Sequence, residues 1–81
     1  MIPIKTKQAL DRYVAEGCIP GGFLLAVLTN DLMGAVFRAD EENLSALPHI
    51  CRYVYNEIPS LCWGTKEKVY NYTKHNLVDS K

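Results

Sequence analysis

"DEENLSALPHICRYVYNEI", residues 40 to 58, decides the fold of this 81-residue chain. Asp40 is a side chain suited to cap a helix, and Glu41 and Glu42 set negative charge against the helix's positive end. Behind them Leu44, Leu47, Cys51, Val54 and Ile58 recur at 3-4-3-4 spacing, the mark of one apolar face on a long amphipathic helix. Pro48 frees the carbonyl of Leu44, so a kink or a split is expected there. Pro59 ends the helix.

Upstream, Lys7 to Glu16 carries Leu10, Tyr13 and Val14 at helical spacing. Thr6 suits its N-cap, and Gly17 suits the left-handed position just past its end. The stretch "IPGGFLLAVLTNDL", residues 19 to 32, puts Pro20 in a first helical turn and Phe23 to Thr29 in a short buried helix. Asn30 ends that helix and caps the next, with Asp31 in the next segment's first turn. Leu32, Met33, Val36 and Phe37 then give a third segment a narrow apolar face. Downstream, "PSLCWG" is a tight linker, and Thr65 caps a last helix through about His75, with Val69 and Tyr72 inward. No stretch alternates as a strand does. The expected fold is all-α, a compact bundle of four to five short helices in a single domain over residues 1–81.

A chain this short buries only about 60–65% of its unfolded surface, a deficit that self-association relieves. With 48% hydrophobic residues the composition is that of a folded domain. Nine basic and nine acidic residues cancel, which argues against a surface built to track phosphates on nucleic acid. The charge is uneven along the chain. Lys5, Lys7 and Arg12 outweigh Asp11 at the start, and Lys66, Lys68, Lys74 and Lys81 outweigh Glu67 and Asp79 at the end. The middle is acidic, with Glu16, Asp31, Asp40, Glu41, Glu42 and Glu57 against Arg38 and Arg52. Pairing within the fold or between copies is open to these charges, although solvated helix faces are their commoner use. Cys18, Cys51 and Cys62 are odd in number and form no CxxC, and "MIPIKTKQAL" lacks a continuous apolar leader. Reduced thiols in a cytosol are expected. The apolar run Phe23 to Leu28 is far too short to span a membrane.

Few residues point to chemistry. The first amides of a helix lack internal partners, and Gly21 and Gly22 would let an anion approach them. The same glycines serve equally to let a helix start pack tightly against a neighbour, which is glycine's commoner role. Tyr53, Tyr55, Trp63, Tyr70 and Tyr72 concentrate late in the chain, where they either form core or stack a base or a partner. Arg38 and Arg52 are the cations of the acidic middle; Arg38 is placed to pair with Glu42, or both face an anionic ligand. His49 and Cys51 are two apart and so point to different faces of a helix, and His75 reaches Cys62 only through the fold. No nucleophile has a local base, so a catalytic role finds little support. Scattered Cys and His are weak evidence for a metal.

Taken in order, "PGGF", "NDL", "RADEEN", "YVYNE" and "CWG" resemble a group of short uncharacterised accessory proteins of tailed phages and prophages. The resemblance covers about residues 8 to 72 and implies an accessory product working in a bacterial host cytosol. Small proteins of that kind often counter host defence by sequestering a nucleotide signal or occluding a defence protein. The expectation is a non-enzymatic, homo-oligomeric protein that sequesters a small anionic ligand such as a signalling nucleotide, without cofactor or metal. Gly21 and Gly22 would give amides, Arg38 or Arg52 countercharge, and Tyr55 or Trp63 a stacking face. The alternative is a protein-interaction module that binds and inhibits a host protein.

Overall fold

The computed structural model describes the backbone of residues 1–79 and the side chains of residues 1–73. It holds five α-helices and, among the described residues, no strand: α1 Ile4–Glu16, α2 Gly22–Leu28, α3 Leu32–Arg38, α4 Glu41–Glu57 and α5 Lys66–Asp79. A short 3₁₀ turn, Ser60–Cys62, joins α4 to α5. The all-α bundle read from the sequence is the fold. No helix among the described residues is long and apolar enough to cross a membrane.

α4 organises the bundle, and its cap is the one expected, with the Asn43 amide donating to the Asp40 carboxylate at 2.8 Å. Its buried stripe differs from the expected one. Ala46, Ile50, Val54 and Ile58 are buried, whereas Leu44 and Cys51 are exposed and Leu47 is half-buried. The inward line is thus a strict four-residue row, and Ala46 keeps it narrow enough for the other helices to approach. The helix runs unbroken through Pro48. Both Pro48 and Leu44 lie on the exposed side, where a carbonyl without its helical partner is open to water.

α1 begins earlier than expected, with Pro3 rather than Thr6 ahead of it and the Lys7 amide donating to the Pro3 carbonyl at 3.0 Å. Proline pre-sets the φ that a helix start needs. Thr6 is therefore free to lie buried inside the helix, where its hydroxyl donates to Asn43 Oδ1 at 2.6 Å and joins α1 to α4. Gly17 ends α1 in the left-handed conformation, as read. Leu10 and Tyr13 are fully buried, and the Tyr13 hydroxyl donates to the Cys62 carbonyl at 2.6 Å. Tyr72 meets Tyr13 edge-to-face at 5.2 Å, and its hydroxyl donates to the Val14 carbonyl. Two tyrosines thereby stitch α1 to α5 and the linker. Tyr53 adds a third tie, its hydroxyl donating to Asp11 at 2.8 Å, with Lys7 completing the ion pair at 3.1 Å.

α2 starts at Gly22, one residue after an extended Gly21, so Pro20 precedes the helix instead of entering its first turn. Leu24, Ala26 and Leu28 are buried, while Phe23, Leu25 and Val27 are half-buried, which is the all-round apolar helix expected. Asn30 adopts φ 64°, a left-handed conformation that asparagine tolerates. It ends α2 but does not cap α3. Asp31 takes that role, accepting from the Gly34 amide at 3.0 Å.

α3 departs most from its reading. Only Ala35 is buried, while Leu32, Met33, Val36 and Phe37 are 63%, 66%, 38% and 81% exposed. The apolar face is real, but it points away from the core. Thr65 caps α5 as read, accepting from the Lys68 amide at 3.1 Å, and Val69 is buried beneath it. α5 continues past His75 to Asp79. The side chains of Lys74, His75, Asp79 and Lys81, on which part of the charge and thiol reading rested, lie outside the described residues.

Candidate binding site

α2, α3 and α5 enclose a cleft of about 410 Å³, within the range of small-molecule sites. Its walls are mainly apolar, from Ile19, Leu25, Ala26 and Val69, with Tyr70 beside them. Three charged residues border it: Arg38 at the end of α3, Lys66 at the start of α5 and Asp31 at the cap of α3.

Two glycines set where Arg38 lies. A Cβ on Gly22 would come within 3.2 Å of Arg38 Cδ, so the arginine stem lies across the first turn of α2 because nothing projects there. A Cβ on Gly34 would stand 2.3 Å from Asp31 Oδ2 and 2.8 Å from Arg38 Nη1, closer than any real contact. The capping carboxylate and the guanidinium therefore share the space above Gly34, and Nη1 donates to the Gly34 carbonyl at 3.3 Å. The packing role of glycine holds for Gly22. Gly21 has an ordinary extended φ and no neighbour a Cβ would meet.

Among the described residues the ion pair formed is Lys7–Asp11. The expected pairing of Arg38 with Glu42 is not made; Arg38 instead lies beside the Asp31 carboxylate at the cleft, and Lys66 forms no ion pair among the described residues. The Thr29 and Thr73 hydroxyls also border the cleft, but each donates back to its own helix, to Leu25 at 2.8 Å and Val69 at 3.1 Å. Neither is held by a base. The arrangement is suited to holding a molecule with an anionic group and an apolar or aromatic body.

The six residues expected to form one site are divided by the fold. Gly22 and Arg38 border the cleft just described. Arg52, Tyr55 and Trp63 border a separate groove of about 320 Å³ with Asn30, Cys51 and Asn56. Gly21 borders a third, shallower groove beside Lys5 and Asn43, which Gly22 also touches. The reason is the length of α4. Arg52 stands eleven helical steps beyond Glu41, a rise of roughly 16 Å along α4, and borders the other groove rather than the cleft of Arg38. In the second groove the Trp63 indole donates to the Ile58 carbonyl at 3.2 Å, which satisfies the C-terminal end of α4. Tyr55 stays 74% exposed and meets the Trp63 ring edge-to-face at 6.0 Å.

The three cysteines are free thiols. Burial pushes the Cys51 and Cys62 thiols above their ordinary range, which lowers their thiolate fraction. Among the described residues no three His, Cys, Asp or Glu side chains converge to hold a metal ion.

Lys66, Tyr70 and Asp31 border the cleft, and Gly34 leaves room for Arg38 beside it, although the sequence did not single them out as site residues. A glycine inside a helical pattern does signal close approach, and Gly34 was legible on that ground. Lys66 and Tyr70 join Arg38 only through tertiary packing. Comparison with protein-family models, curated proteins and solved structures finds no match to this chain, so geometry carries the functional reading.

Proposed function

We propose that this chain is a non-catalytic binding protein for a small anion with an apolar or aromatic body, held in the α2–α3–α5 cleft. One observation carries the reading: Arg38 and Lys66 border a largely apolar cleft of about 410 Å³, and among the described residues neither forms an ion pair. Tyr70 takes the stacking place assigned from sequence to Tyr55 or Trp63, and Lys66 takes that of Arg52. A signalling nucleotide is one member of the ligand class. The resemblance to accessory proteins of tailed phages gives it a setting, the removal of such a signal in a bacterial host cytosol to counter host defence.

A thermal-shift screen of nucleoside monophosphates, cyclic dinucleotides and aromatic carboxylates tests this. A ligand at about 100 times its Kd stabilises the fold by about 2.7 kcal/mol, a shift of several degrees in a domain this small. Arg38→Ala is expected to abolish the shift and Arg52→Ala to leave it unchanged. A shift lost equally in both variants, or lost only in Arg52→Ala, moves the ligand out of this cleft.

A second reading is favoured by the other groove. Trp63, the exposed Tyr55 and Arg52 are the residue types that anchor protein interfaces, and here they stand together. A host protein captured by the chain should be released by Tyr55→Ala, a substitution at an exposed ring that leaves the fold intact. Capture that persists in that variant counts against this groove.

A further inference from the structure

The formal charges that line the α2–α3–α5 cleft do not cancel. Arg38 and Lys66 are two cations against the one carboxylate of Asp31, which leaves a single positive charge. Asp31 cannot swing away to raise that value without giving up its own helix, because its Oδ1 accepts the Gly34 amide at 3.0 Å as the cap of α3. Its Oδ2 stands 2.3 Å from the point that a Cβ on Gly34 would take, and Arg38 Nη1 stands 2.8 Å from the same point. Carboxylate and guanidinium are therefore close neighbours over Gly34, although among the described residues they close no ion pair.

The hydrogen-bond donors are as limited as the charge. The Thr29 and Thr73 hydroxyls are spent on the Leu25 and Val69 carbonyls, and Arg38 Nη1 already serves the Gly34 carbonyl at 3.3 Å. What Arg38 and Lys66 retain suits a singly charged oxyanion with two free oxygens, either a carboxylate or a phosphodiester. A phosphate monoester brings three acceptor oxygens and a charge of about −1.5 to −2 at neutral pH. Seated against Leu25, Ala26 and Val69, it would leave close to one negative charge unmatched beside Asp31. Like charges set together under apolar cover are unfavourable.

We propose that the cleft selects monoanions, carboxylates or phosphodiesters on an apolar or aromatic body, over phosphate monoesters, with Asp31 as the residue that sets this preference. The inference rests on the binding reading above and adds to it which class of anion is held.

Isothermal titration of the full chain at about pH 8, where a phosphate monoester is doubly charged, tests it. The probes are naphthoate, naphthyl phosphate and the methyl ester of naphthyl phosphate, together with adenosine monophosphate and its methyl ester. On each body the monoanion is expected to bind about tenfold tighter than the monoester, or more. Asp31→Asn removes the negative charge and keeps a side chain that caps as well. It should tighten the monoesters more than the monoanions, because twice the charge feels the change, and so close most of the difference. Asp31→Ser, which also caps, should act in the same direction. Monoesters that bind the parent as tightly as the monoanions overturn the selectivity and leave the cleft standing as an anion site. A preference that both Asp31 variants retain in full overturns the role of Asp31. If the folded parent binds none of the probes, the cleft reading itself falls, and this inference falls with it.

Discussion

α1 and α3 carry the same kind of sequence signal and meet opposite fates. Each places large apolar residues three and four apart, yet Leu10 and Tyr13 of α1 are fully buried while three of the four on α3 are more than half exposed. The difference lies in what ties each helix down. α1 is held by contacts that cross the chain: Tyr13 to Cys62, Tyr72 to Val14, Thr6 to Asn43 and Tyr53 to Asp11. The polar contacts of α3 stay local, from the Gly34 amide to Asp31 and from Arg38 to the Gly34 carbonyl. It packs chiefly on its neighbour α2. Amphipathic spacing shows that a helix has two faces; distant partners decide which face is covered.

Truncating one aromatic on each helix breaks or sharpens this contrast most. Tyr13→Ala should cost about 3–5 kcal/mol, a large part of the stability of a domain this small. Phe37→Ser should cost within about 0.5 kcal/mol, because its ring is outside the core. Urea unfolding of both variants reads the difference. Similar losses would show that α3 is packed more deeply than its exposure implies.

A second contrast lies within α4, between the row that is buried and the row that its spacing suggested. Ile50→Ala is expected to lose about 2–5 kcal/mol and Cys51→Ala about 0.5 kcal/mol or less. Reversal of that order in denaturant midpoints would restore the expected stripe.

The tyrosine ties also set a limit at high pH. Burial raises the Tyr13 and Tyr72 hydroxyls above their ordinary range. The folded state therefore favours their protonated forms. This stabilisation is fully present below about pH 10, the unfolded value, and is lost as pH rises above it through the folded values. Tyr13→Phe should cost about 1–2 kcal/mol at neutral pH by leaving the Cys62 carbonyl without its donor. In return it should flatten the alkaline fall in stability, measured as the urea midpoint against pH. A fall as steep as the parent's would assign the alkaline limb to other groups.

The cap of α3 should show effects of about 1 kcal/mol or less. Asp31→Ala should remove about 1 kcal/mol with the cap. Gly34→Ala gains about 1 kcal/mol of helix propensity but displaces the capping carboxylate, so the two terms nearly cancel. Its thermal midpoint should barely move, while ligand binding at the cleft weakens because Arg38 can no longer lie over that position. A variant that melts like the parent and binds ligand equally well would detach Gly34 from the site.

Much of the local structure was legible because its causes are local. A carboxylate before Glu41 and Glu42 caps α4, a threonine hydroxyl caps α5, Gly17 turns left-handed, and Pro59 stops a helix, all within a few residues of sequence. Thr6 and Asn30 show where local logic failed. Thr6 had a better partner in Asn43, thirty-seven residues away, and Asn30 gave up capping because it was needed for the left-handed turn. At the candidate site the sequence supplied Gly22 and Arg38 as site residues, but it could not see that Lys66 and Tyr70 would join them or that α4 would hold Arg52, Tyr55 and Trp63 apart.

The sequence by itself determined that this chain is a small all-α domain, since helix periods, caps and breakers act within one or two turns. Only the tertiary structure decided which row of α4 is buried, which side of α3 faces water, and which cations border one cleft. Those outcomes depend on side chains far apart in the chain competing for the same space, and no short stretch of sequence contains that competition.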